Sequence, residues 1–73
     1  MSPQCEQVLD YMNRFGSINP LQALQDIGCF RLASRISDLK KEGYPIESKR
    51  VNYETRLGEA KFFHEYRIKE ETL

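Results

Sequence analysis

Five side chains in the run CFRLASRISDLKKEGYPI, Cys29 to Ile46, have types and spacings that could act together: Arg31, Ser34, Arg35, Asp38 and Lys41. A helix stacks residues three and four apart on one side. At 100° per residue, Leu32, Ile36 and Leu39 fall within about 60° of one another, and the five polar residues share an arc of about 120° opposite. Two guanidinium groups, a hydroxyl, an ammonium and a carboxylate offer the chemistry of holding anions and planar acceptors. A face that is only solvated needs no such order.

Bond-breaking chemistry has no comparable constellation. The chain holds a single histidine, His64. It shows no Ser-His-Asp arrangement, no glycine-rich phosphate loop and no carboxylates paired around a pocket. An enzyme is not expected, and no cofactor is implied. A zinc site would draw on Cys5, Cys29 and His64 plus a fourth ligand, yet the short paired spacings of zinc modules are missing. No metal is expected, and the two cysteines read as reduced core thiols.

Seventy-three residues make one domain, 1–73, with about 70–73 as a frayed tail. A chain this short buries only about 60% of its unfolded surface, which leaves little room for a deep catalytic pocket. Composition is that of a globular domain, 40% hydrophobic and 30% charged. No apolar run approaches the roughly 20 residues of a membrane span. The start, MSPQCEQ, lacks the parts of a signal peptide, so a cytoplasmic protein is expected. Net charge is zero but unevenly spread. Residues 1–29 carry −2, residues 30–56 carry +3 and residues 57–73 carry −1. For a phosphate-binding surface the local excess matters more than the total.

The elements that must position the polar face can be placed from pattern. Ser2 caps a first helix, Pro3 opens it, Cys5, Val8, Leu9, Met12 and Phe15 form its apolar stripe, and Gly16 stops it. An extended residue pair is expected around Ile18. Asn19, Pro20 and Gln22 make the start of a short second helix with a capping box, whose Leu21, Leu24 and Ile27 face inward. Gly28 ends it. A third helix is expected from about Phe30 to Glu42, followed by Gly43. YPIESKRVNY and KFFHEYRIK then read as two strands around ETRLGEA, with Gly58 in the turn. Val51 breaks parity with Ile46, which a bulge would reconcile.

Three helices and a hairpin that must pack on them give an α+β fold with the layout of a winged helix-turn-helix. The residues go further than the layout. LQALQDIGCFRLASRISDLKKEGYPI, with EYRI near Ile68, resembles short winged helix-turn-helix proteins of phages and bacteria over residues 4–69. The resemblance implies DNA binding and a role in transcription or phage genome control. It names no target. The neutral charge and Asp38 depart from a strongly basic pattern.

The expected partner is therefore double-stranded DNA. A helix about 10–12 Å wide fits a major groove about 12 Å wide. Arg31 and Arg35 can each donate two parallel hydrogen bonds to guanine, and Ser34 lies between them. Asp38 either pairs with Arg35 three residues earlier or accepts from cytosine, and the spacing favours the pair. Lys41 suits backbone contact, whereas Lys40 lies nearer the apolar arc. Lys49, Arg50 and Arg56 are candidates for the wing, with a solvated strand carrying Glu47 and Glu54 as the alternative. Capping alone accounts for Asn19 and Gln22. Tyr44, Tyr53, Phe62 and Tyr66 read as core or hairpin packing. One small domain offers limited area, so a homodimer or several copies on a repeated site are expected. A reading from another class is a winged-helix adaptor that binds a protein partner, motivated by the neutral charge and Asp38.

Overall fold

The computed structural model describes residues 2–69. The tail expected at 70–73 lies outside the described residues. Helix α1 spans Pro3–Phe15. Ser2 is extended, and its Oγ accepts the Cys5 N–H at 3.2 Å, satisfying one of the free amides of the first turn. Gly16, at φ 89°, donates its N–H to Met12 at 2.8 Å and ends the helix. Cys5, Val8 and Met12 are buried. Phe15, expected in the same stripe, is 68% exposed. It sits one turn beyond the core and packs on Tyr11 instead, with ring centroids 4.7 Å apart.

The second helix begins as α2, Pro20–Gln22, and widens at once into a π-helical turn, Ala23–Ile27. Asn19 and Gln22 form the expected capping box, at 2.8 and 3.1 Å. The interior face differs from the expectation. Ala23 is buried and Ile27 half-buried, while Leu21 and Leu24 are exposed. The smallest apolar side chain turns inward, which lets this short helix approach α1 closely. Gly28 follows in the left-handed region (φ 74°, ψ 25°), a conformation that costs a residue with a Cβ about 1–2 kcal/mol.

Helix α3 spans Leu32–Lys41, starting two residues later than the pattern suggested. The reason is Cys29. It is buried and donates its N–H to Ala23 at 2.9 Å, so the turn consumes the chain as far as Arg31. Arg31 becomes the N-cap and Phe30 stands outside the helix. At the other end Tyr44 N–H reaches Leu39 O at 3.2 Å and Gly43 N–H reaches Lys40 O at 3.0 Å. With Gly43 at φ 100°, this is a Schellman ending. It aims the chain through Pro45 into the hairpin.

Strands β1, Ile46–Glu54, and β2, Ala60–Ile68, are antiparallel, with Ile46 opposite Ile68 and Glu54 opposite Ala60. The register is unbroken, so the bulge considered at Val51 does not form. Val51 instead lies opposite Phe63, half-buried, on the face away from Ile46. Thr55 and Glu59 close the loop, and Gly58 turns it at φ 78°. Ile18 pairs with Tyr66 through two 2.8 Å hydrogen bonds and covers part of the free edge of β2. The core runs from Cys5 through Ile18, Leu32, Ile36 and Leu39 to Ile46, with no polar or charged residue buried among those described. Both cysteines are free and buried within it. The fold is α+β: three helical segments followed by a two-stranded wing.

Candidate nucleic-acid interface

Leu32, Ile36 and Leu39 fix α3 by one side, as its periodicity requires. Its outer side is the polar one. Arg31 is exposed at the helix start, and its Nη2 donates to Ser34 Oγ at 3.3 Å. Arg35 leans towards the flank and is only 25% exposed, so less of it faces outward than the helical arc implied. Its Nη2 lies 3.3 Å from Asp38 Oδ2, the i, i+3 pair that the spacing favoured. Its Nε is shielded from solvent and has no acceptor among the described residues. The guanidinium is thus paired at its outer end, and what remains open to a ligand is that outer end. Lys40 and Lys41 are exposed in the last turn, where positive charge complements the helix dipole.

Sequence reasoning passed over Ser37. It is exposed on the same outer side, one turn after Ala33 and Ser34 and one turn before Lys41. The available signal was its 100° offset from Ile36. Phe30 was also read only as a helix boundary. It is 84% exposed beside Arg31, too open to be a core residue.

The three wing candidates do not act as one set. Successive strand residues point to opposite faces. Arg50 shares the inner face with Ile46, and its guanidinium carbon lies 4.0 Å from the Phe62 ring centre. Lys49 is on the outer face, directly opposite Glu65. Near it Arg67 pairs with Glu47, and nearer the loop Lys61 pairs with Glu59 at 3.6 Å. Positive charge on that side is therefore largely offset. Arg56 projects from the loop beside Leu57, which is 88% exposed.

The inner wing face and α3 meet in one groove, lined by Ala33 and Ser34 on the helix, by Phe30, Arg31 and Leu24 at the turn, and by Tyr66 on the wing. The structure thus brings Arg31, Ser34, Arg35 and Asp38 together, sets Lys41 one or two turns further along the same helix, and places Arg50 beyond the groove on the same side of the sheet. Arg56 stands apart at the tip, and Lys49 faces away. Among the described residues no three His, Cys, Asp or Glu side chains converge as a metal site. No helix among them is long and apolar enough to cross a membrane.

Residues 3–71 match the family model described as winged helix-turn-helix domain. A comparison with curated proteins finds no match. A fold of this type points to DNA binding in general, which suits a cationic helix face flanked by a hairpin. With the match spanning nearly all of its length, the chain belongs to the winged helix-turn-helix domain family.

Proposed function

We propose that the protein binds double-stranded DNA in a sequence-specific way, with the outer side of α3 in the major groove and the wing against the backbone. One observation carries this reading: α3 is pinned by its apolar side and offers Arg31, Ser34, Ser37 and Lys41 outward, next to a groove that the wing closes. Arg31 and Ser34 reach base edges. Lys41 and Arg50 take phosphates. Arg35, steadied by Asp38, contacts the flank of the same groove. Arg56 with Leu57 at the wing tip fits a minor groove, where apolar side chains wedge between base steps. The resemblance to short phage and bacterial proteins supports a role as a regulator of phage or mobile-element genes in a bacterial cytoplasm, as a binding protein rather than an enzyme.

Selection from a random duplex pool, read beside the mass of the protein in solution, tests both target and copy number. On the selected site, Arg31→Ala is expected to cost about 1–3 kcal/mol and to relax one base preference. Lys41→Ala should weaken all sequences alike and flatten the salt dependence by about one phosphate contact. Unchanged affinity and preference in both Arg31→Ala and Arg35→Ala would sink this docking.

A protein-binding adaptor is the second reading, and exposed Leu21, Leu24 and Phe30 favour it. Binding through several phosphates falls steeply with added salt, whereas an apolar contact does not. Failure to bind any duplex at low salt would leave the adaptor reading.

A further inference from the structure

The inner face of the wing carries more aromatic surface than the core uses. Phe62, His64 and Tyr66 alternate along β2, so all three project from that face. Their rings form a column, with centroids 5.7 Å apart from Phe62 to His64 and 6.4 Å apart from His64 to Tyr66. Only Tyr66 packs against the core. His64 is exposed, and Phe62 is 50% exposed. Beside this column runs a second one on β1: Ser48 opposite Tyr66, Arg50 opposite His64 and Asn52 opposite Phe62. Each of these can hydrogen-bond. Carboxylates are kept off the middle of this face. Glu47 and Glu65 lie on the outer face, and Glu54 and Glu59 lie at the loop end.

A closed duplex makes poor use of such a surface. Its base faces are covered by neighbouring bases, and only edges and phosphates are offered. Unpaired bases present their faces, which stack on aromatic rings or on a guanidinium plane, while their edges take hydrogen bonds. The phosphates between them require positive charge, which Arg31 supplies at the groove and Arg50 supplies beyond it, where its guanidinium covers one face of the Phe62 ring and offers its own plane for stacking.

We propose that the inner wing face binds unpaired DNA bases, so that the protein prefers a duplex bordered by a single strand to a closed duplex. The column begins at Tyr66, which also lines the groove beside α3. A strand leaving a duplex held on α3 passes directly onto it. The wing site rests on the duplex-docking reading only for this direction of exit.

The test uses the full chain and three labelled DNAs: a blunt duplex, the same duplex with a single-stranded tail of about eight nucleotides, within the span one small fold covers, and the tail strand alone. The tails carry 2-aminopurine, whose fluorescence reports stacking. Wild type is compared with Phe62→Ala and Phe62→Tyr, each checked for folding by circular dichroism. The tail should raise wild-type affinity about 5- to 150-fold, the value of one stacked base. Phe62→Ala should lose most of that gain together with the fluorescence change, and Phe62→Tyr should keep both. Affinity for the blunt duplex should be the same in wild type and Phe62→Tyr, and in Phe62→Ala it should fall by less than the tail gain, because the ring also supports Arg50. Equal affinity for tailed and blunt duplexes would overturn the proposal, and so would a tail gain that survives Phe62→Ala. Loss of duplex binding with a Phe62-dependent tail signal retained would retire the docking of α3 and keep the wing site. Binding to no DNA of any form would overturn both.

Discussion

The helical half and the wing keep their shapes by different means. Among the described residues, nine of the ten buried side chains precede β1, and Ile46 at the root of the wing is the tenth. The helices are held by side-chain packing. The wing is held by a backbone ladder from Ile46–Ile68 to Glu54–Ala60, anchored at one end by Ile46, Tyr66 and Ile68 and on one edge by Ile18. A hairpin alone is marginal in water, so the root decides whether the wing exists at all. Beyond that root, its side chains owe little to the fold. They are free to be selected for what they touch. In the helical half that freedom belongs to the outer sides of the helices, that of α3 among them.

The sharpest way to break this contrast is to cut into the packed half. Leu39 on α3 is fully buried, and its side chain belongs to the same core cluster as Ile46 at the wing root. Leu39→Ala is expected to cost about 2–5 kcal/mol, a large share of the roughly 5 kcal/mol typical of so small a domain. Urea unfolding followed by circular dichroism measures it. A cost below about 1 kcal/mol would mean that packing does not hold the helices as described.

A smaller effect is expected from a larger deletion in the wing. Tyr53 and Phe63 make a tilted pair on the outer face, with centroids 5.7 Å apart, but Tyr53 is exposed. Tyr53→Ala should cost about 1 kcal/mol or less in the same unfolding experiment. A loss equal to that of Leu39→Ala would erase the distinction between the two regions.

The same contrast governs what the sequence made legible. The packed half announces itself. Ser2, Asn19, Gln22, Gly16 and Gly43 mark helix ends because unpaired amides and left-handed turns accept few residue types. The errors fall where tertiary packing overrides local pattern. Leu21 and Leu24 look like an interior stripe, yet Ala23 takes the interior because a short helix must come close to α1. Cys29, drawn into the core, delays α3 and leaves Phe30 outside. In the candidate site, the pairing of Arg35 with Asp38 was readable from spacing alone. That Lys49 and Arg50 part follows from strand alternation, but which of them shares the face of Ile46 does not, and Val51 obscured that parity. That Phe62, His64 and Tyr66 share one face of β2 follows from alternation, but an alternating strand does not say which of its faces stays open.

The smallest expected effect concerns a polar contact on the surface of the packed half, and it asks how much of that half is held by anything besides its core. Tyr11 on α1 donates its hydroxyl to Asp26 Oδ2 of the π turn at 2.6 Å. That hydrogen bond, chiefly, raises the phenol pKa above its ordinary 10.0, and the charge of the same carboxylate adds to the shift. Asp26 favours the protonated phenol, so the contact stabilises the folded chain fully below about pH 10. The stabilisation is lost as pH rises through the raised folded value, where the phenolate can no longer donate and is repelled. Tyr11→Phe removes the contact at every pH. Wild type should therefore melt slightly above Tyr11→Phe at neutral pH, and the gap should close as the solution is taken above pH 10. Thermal melts of both proteins across that range measure the gap, and the difference in their tyrosinate absorbance titrations isolates Tyr11 from the other tyrosines. A gap that stays constant through the titration would mean that the hydrogen bond from Tyr11 to Asp26 does not set it.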